Sequence, residues 1–222
     1  LCEDSVEVIL TAIYNIYRVR RNFPDNEISL TEEYMLFAEY IPVKTDFERA
    51  SKVMRTCREK FGEKDFYGLC MALGSYDAEK AQAVYKTIAY GLTAKPAKGH
   101  LFDHLSDAHV LKAFKLSNTV CRESHHLLGF TRFRELENGI LYADISPKNH
   151  VLVSLMEHFA DRMPSENFAI FDAGRKLYGI HPAKGQWFLA GGEELADKIG
   201  EVPVSDKEER YAALFRHFCK RI

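Results

Sequence analysis

A chain of 222 residues suits one large domain or two small ones, and at 46% hydrophobic it can bury a core without a disulfide or metal staple. Its formal net charge of -2, with 28% charged residues, excludes a bulk polycation, so any nucleic-acid binding has to use a local basic face. The five cysteines (Cys2, Cys57, Cys70, Cys121 and Cys219) form no C-x-x-C pair and are odd in number. That argues against a disulfide framework or a zinc finger and for buried thiols in a reducing cytosol.

No apolar run reaches the roughly 18–20 residues of a membrane span, and no signal-peptide core is visible. A cytoplasmic protein without membrane contact is the expectation. The sequence opens on Leu1 rather than methionine, so leading residues are expected before it.

Asp4 and Ser5 offer caps for a first helix to about residue 20, with Val6, Ile9, Leu10, Ile13, Tyr14 and Tyr17 at helical spacing. Leu1 and Cys2 read as the stump of a strand. Residues 22–26, with Pro24, break the pattern. Residues 35–45 read as an extended edge strand on their aromatic and branched content and Pro42, although 32–39 also fits a helix.

Three helices are expected next. Asp46 caps one to about residue 61, with Ala50, Val53, Met54 and Cys57 on its inner face. A second covers 64–73. Asp77 caps a third to about 92, with Ala81, Val84, Tyr85 and Ile88 inward. Residues 93–99 form a loop and the best hinge. A short helical piece over 101–105 precedes a long helix from about 106 that ends at Gly129 as its C′ residue.

The second half changes character. Residues 130–136 and 140–145 flank Glu137–Asn138–Gly139, a strong hairpin signal. A helix over 149–162, stopped by Pro164, leads to three short strands at 168–172, 176–181 and 186–189. A last helix follows Ser205. The order predicts a single α+β domain with a helical subdomain at about 46–98. The sheet half spans about 99–222, as an antiparallel sheet with flanking helices rather than βαβ winding.

Chemistry concentrates in residues 123–162. On the first hairpin strand Arg132 and Arg134 share a face with Phe130 and Leu136. On the second, Tyr142 and Asp144 lie opposite the inward Leu141, Ala143 and Ile145. Arg132, Arg134 and Tyr142 then make a basic-aromatic surface suited to phosphates and bases, or both arginines pair with carboxylates such as Asp144; both readings stand.

On the long helix His125 leans toward the buried stripe and His126 joins the polar face. Glu123 and His126 provide only two metal ligands, and a third would have to come from His158 or Asp161. Phasing that separates the histidines argues against a metal, and no cofactor is expected. On the following helix Val151, Leu152, Leu155, Met156 and Phe159 form the apolar stripe. His158 and Arg162 face away from it, as a phosphate-contacting pair or as a solvated helix end. Trp187, the single tryptophan, reads as core, with base stacking as the lesser reading. The phosphate-loop, dinucleotide, zinc-protease, serine-hydrolase and iron–sulfur motifs are missing.

Glu123-x-His125, GFTRFRE (129–135), LYADISPKNHVL (141–152), HFADRMP (158–164) and the opening CEDSVEVILTAIY (2–14) resemble a bacterial family assigned to DNA metabolism and otherwise of unknown function. The resemblance spans nearly the whole chain. It implies a radical-SAM partner encoded alongside and thought to modify or repair DNA, and a related domain occurs fused to a uracil-DNA glycosylase-like domain. The family's motif falls here on Glu123, His125, Gly129, Phe130, Arg132, Phe133, His158, Arg162, Asp172 and Arg175, with no catalytic residue assigned. Family members continue with an arginine-rich tail, whereas this sequence stops at Ile222.

The leading expectation is a DNA-binding accessory protein of repair or modification, with Arg132, Arg134, His158, Arg162 and Arg175 on phosphates. Behind it stand a glycosylase- or nuclease-like enzyme with Glu123, His125 or Asp161 in acid–base roles, and a protein-interaction scaffold without DNA contact.

Overall fold

The computed structural model describes residues 2–19, 26–30, 39–93, 99–191, 202–205 and 207–208. The chain divides into two compact units, Leu1–Cys121 and Arg122–Ile222.

Helix α1 (Val6–Val19) buries Val8, Ile9, Ala12 and Ile13 on one stripe, as the 3.6-residue period requires. Ser5 does not cap it by accepting; its hydroxyl donates to Glu7 Oε2 at 2.6 Å. Asp4 instead pairs with Lys80. Helix α2 (Phe47–Leu73) starts as expected, with the Asp46 side chain accepting the Arg49 N–H at 3.0 Å. The buried Thr11 joins these two helices, accepting the Asp46 N–H at 3.1 Å and donating to the Glu7 carbonyl at 2.7 Å.

The two helices expected over 46–61 and 64–73 are the two arms of α2. Gly62, at φ 81° and ψ 169°, breaks the helical path between them, a conformation glycine adopts without a Cβ penalty. Ala50, Val53 and Cys57 face inward, but Met54 is 39% exposed: its position falls just off the stripe. Burial pushes the Cys57 thiol up to about 12.

Helix α3 (Lys80–Thr93) begins where Asp77 accepts the Glu79 N–H at 2.8 Å. Ala81, Val84, Tyr85 and Ile88 are all buried. Lys80 is buried too, its ammonium donating to the Ser75 carbonyl at 2.6 Å and pairing with Asp4 at 2.5 Å. A 3-10 turn (Leu101–Asp103) is pinned by the Leu101 N–H donating to the buried Asp65 at 2.7 Å. Helix α4 (Ala108–Phe130) runs on into the second unit, and Ala113 and Leu116 complete the helical core.

Two strand expectations in this unit fail where they can be read. Residues 39–45 form no strand, and the Tyr40 and Ile41 side chains are exposed. Cys2 likewise lies outside any strand and donates its N–H to the Ser29 carbonyl at 2.9 Å. Branched and aromatic residues favour a strand only where a neighbouring strand takes their hydrogen bonds. Leu1, residues 22–25 and 31–38, the hinge residues 94–98 and the last helix beyond residue 208 lie outside the described residues.

The second unit is a five-stranded sheet in the order β1 (Arg134–Glu135), β2 (Leu141–Ile145), β3 (Phe168–Asp172), β4 (Leu177–His181), β5 (Phe188–Gly191). The hairpin forms at the expected place, with Gly139 at φ 78° in its turn. The α+β class is as expected, but the sheet is mixed rather than antiparallel. Strands β2 and β3 pair in parallel, Leu141 with Phe168 through Ile145 with Asp172, and α5 (Leu152–Arg162) makes the crossover. This is a βαβ step, the connection that the strand and helix order was read as excluding.

Helix α5 buries Leu152, Leu155, Met156 and Phe159 as its period predicts. Phe133 meets Phe159 and Phe168 edge-to-face at 5.0 and 5.7 Å. Gly179 lets α5 approach: a Cβ there would clash with Met156 Sδ and Cγ. The other sheet face carries a smaller cluster of Leu136, Tyr142, Ala169 and Tyr178, with Val202 against it. Residues 202–205 run along β1, bridging Leu136 with Val204 and donating the Ser205 N–H to the Glu135 carbonyl at 2.9 Å. Tyr142, expected on the surface, is therefore 7% exposed: both faces of the sheet are covered.

Candidate functional site

The parallel pair places two loops at one end of the sheet, 146–151 after β2 and 173–176 after β3. Carboxyl ends of parallel strands are where open α/β sheets bind ligands. Here that end is tied together from inside. Glu123, from α4, accepts the Lys148 N–H at 2.8 Å, the Asn149 N–H at 2.9 Å and the Asn149 side-chain amide at 2.6 Å. Arg175 donates to the Pro147 carbonyl at 3.3 Å, to the Lys148 carbonyl at 2.6 Å and to the fully buried Asp172 at 3.0 Å. Asp172 also accepts the Arg175 N–H at 3.2 Å. Burial pushes the Glu123 carboxyl up, but the N–H donors of Asn149 and Lys148, the Asn149 amide and the Arg175 charge outweigh it and hold it below the usual range.

A carboxylate stabilised in this way is a poor proton donor near neutrality. Both its oxygens already accept backbone N–H groups, so Glu123 serves as a loop anchor. His125, expected to lean inward, is exposed, because α4 presents Ser124 rather than His125 to its neighbours. Ser124 is buried and donates to Ser154 at 3.0 Å. His126 is exposed and stacks on Phe130 at 4.4 Å. Gly129 lies inside the last turn of α4 rather than after it, and Phe130, the final helical residue, is 73% exposed. Among the described residues no group of three histidines, cysteines or carboxylates is placed to hold a metal ion.

The hairpin arginines meet carboxylates. Arg134 pairs with Asp144 and lies over the Tyr142 ring at 5.5 Å; the Tyr142 hydroxyl donates to the same carboxylate at 2.7 Å. Burial, then that bond to Asp144, raises the Tyr142 hydroxyl above its usual range. Arg132 pairs with Glu208 at 3.2 Å. Of the two readings of this hairpin, the carboxylate-paired one describes the geometry. With Arg175 held by Asp172, three of the five residues expected on phosphates have acidic partners.

His158 and Arg162 are both exposed on α5, as their phase predicts, and share that surface with exposed Glu157 and Asp161. Arg162, Lys148 and Lys184 are exposed cations without an ion-pair partner among the described residues.

At the turn between β4 and β5 an open cleft of about 440 Å³ is lined by Ala160, Pro164, His181, Lys184, Gly185, Gln186 and Trp187. The Lys184 N–H donates to the Pro164 carbonyl at 2.6 Å, and the Ala183 N–H to Asn167 Oδ1 at 2.9 Å, which fixes the turn against the chain after α5. His181 is 3% exposed, stacks on Phe168 at 4.7 Å and turns Nδ1 to the Glu166 carbonyl at 2.9 Å. Trp187 is half-buried in the cleft wall, neither core nor bare surface. Lys184 and Gln186 escape a motif search. The signal available was His181 and Trp187 bracketing a Pro–Gly turn, which brings both ends of the turn to one place.

The fold and site define an α+β protein whose sheet unit carries a tethered loop end and an aromatic, cationic cleft. The chain belongs to the DUF4130 family, a domain of unknown function, whose model matches residues 78–222. No curated protein and no solved structure matches it. Among the described residues no helix is long and apolar enough to cross a membrane.

Proposed function

We propose that this chain is a DNA-binding accessory protein of DNA repair or modification that acts beside a radical-SAM partner. The radical-SAM partner follows from the motif resemblance. The observation that carries the DNA contact is that Arg162, Lys184 and Lys148 are exposed cations without an ion-pair partner among the described residues, in the unit that also holds the half-buried Trp187. The anchoring role of Glu123 favours binding over general acid–base catalysis.

The pairing of Arg132, Arg134 and Arg175 sets the scale of the contact. Five phosphate contacts on single-stranded DNA give a log–log salt slope of about -3.5, and three give about -2. Binding of a labelled single strand, measured across a salt series, is expected to follow the shallower slope, and Arg162→Ala to weaken it about threefold. Affinity undetectable at low salt, or unchanged as salt rises, overturns the proposal. Pull-down with the neighbouring radical-SAM protein tests the partnership.

A second reading is a scaffold without DNA contact. It is favoured by exposed apolar side chains in the same unit: Phe130 at 73%, Phe188 at 50% and Leu189 at 39%. Capture of the radical-SAM protein with no DNA shift selects it.

A further inference from the structure

We propose that the cleft between the end of α5 and the β4–β5 turn binds one nucleotide of an unpaired strand, with the base against Trp187 and its phosphate at Lys184. This rests on the DNA-binding reading and deepens it. The lining chemistry is specific in kind. An indole offers a flat face for stacking, worth about as much for any base. Lys184 is an exposed ammonium without an ion-pair partner among the described residues, on the rim of the same cleft. Gln186 presents an amide able to donate and accept.

His181 adds direction. The Glu166 carbonyl can only accept, so Nδ1 carries the proton. Nε2 is left without a hydrogen-bond partner among the described residues. A planar heterocycle with N–H donors on its edge and an anionic group beside it matches these four side chains. The size agrees as well: about 440 Å³ lies within the roughly 300–1,000 Å³ of small-ligand clefts.

An unpaired strand is favoured over a duplex because a stacked, paired base cannot offer its face to an indole.

The single tryptophan makes the cleft observable, because indole fluorescence comes from Trp187 alone. The full chain is titrated at low salt with a short single strand, the same sequence as duplex, deoxynucleoside monophosphates and inorganic phosphate. Strand binding is followed in parallel by polarisation of a labelled oligonucleotide. The expected result is saturable quenching by the single strand, weaker quenching by the mononucleotides, and none by phosphate. Trp187→Ala is expected to weaken strand binding roughly tenfold, and Lys184→Gln roughly threefold. Lys184→Gln keeps the backbone bond to Pro164 and changes only an exposed side chain, so it remains informative if Trp187→Ala misfolds.

Strand binding without quenching, or binding that both variants leave unchanged, overturns the cleft while the DNA-binding reading stands. No strand binding together with no quenching by mononucleotides overturns both. Quenching by mononucleotides without strand binding upholds the cleft as a free-nucleotide site and overturns the DNA reading. Duplex quenching equal to that of the single strand overturns the preference for an unpaired base.

Discussion

In the helical unit, Leu1–Cys121, the buried polar groups join helices: Thr11 ties α1 to the start of α2, Asp65 holds the 3-10 turn, and Lys80 links Ser75 to Asp4. In the sheet unit, Arg122–Ile222, buried and half-buried polar groups hold loops: Glu123, Asn149, Asp172 and Arg175 shape the ends of the parallel strands, and His181 stands in a cleft wall. The same physical device, a buried polar group satisfied by a partner, fixes helix packing in one unit and loop geometry in the other. Polar residues that look alike in sequence therefore differ in what their loss would disturb.

The largest expected effect is that of Asp172→Ala. It removes a fully buried carboxylate that accepts both the half-buried Arg175 guanidinium and the Arg175 N–H, and hydrogen bonds to a charged group are worth about 1.5–3 kcal/mol each. Denaturant unfolding measures it, and a loss below 1 kcal/mol would break the loop-anchoring account. Asp65→Ala is expected to cost less, about 1–3 kcal/mol: the Leu101 N–H loses its acceptor, but the buried Asp65 Oδ1, unpartnered among the described residues, is removed too. If Asp65→Ala proves the more damaging, the contrast between the units is reversed.

Glu123→Gln is expected to cost about 1–2 kcal/mol at neutral pH through weakened bonds to the 148–149 backbone. The Glu123 carboxyl titrates below its ordinary 4.5 in the folded chain, so its stabilisation is complete above that pH. It is lost as pH falls through the folded value, where the native state must take up the proton. Stability against pH should thus be flatter on the acid side for Glu123→Gln than for the parent chain; parallel curves would remove the anchoring role. The smallest effect belongs to Gly62→Ala. Open space surrounds a Cβ there, and only the positive φ opposes it, at about 1 kcal/mol. A neutral result would mean that the kink relaxes.

Much of the site's setting was legible in residue spacing. The His158–Arg162 face of α5 is exposed as phased, because the period of an amphipathic helix is a local property. The inward tilt read for His125 failed by one position, where a helix face shared by Ser124 and Leu128 needs its neighbour's contacts to settle it. Phosphate-facing arginines were the hardest reading, since a sequence shows charge but not the partner that neutralises it. Arg134 meets Asp144 only through the β1–β2 register, and Arg132 meets Glu208 across more than seventy residues.

By itself the sequence determined the helices of the described residues and the strands and turns of the sheet unit, including the Asn138–Gly139 hairpin. Each depends on periodicity and backbone preference within a few residues. Only the tertiary structure decided that β2 and β3 run parallel, that Tyr142 is covered, that Glu123 anchors a loop, and that Trp187 joins Lys184 and His181 around a cleft. These depend on pairings between distant segments, which a local pattern permits in more than one arrangement and packing selects.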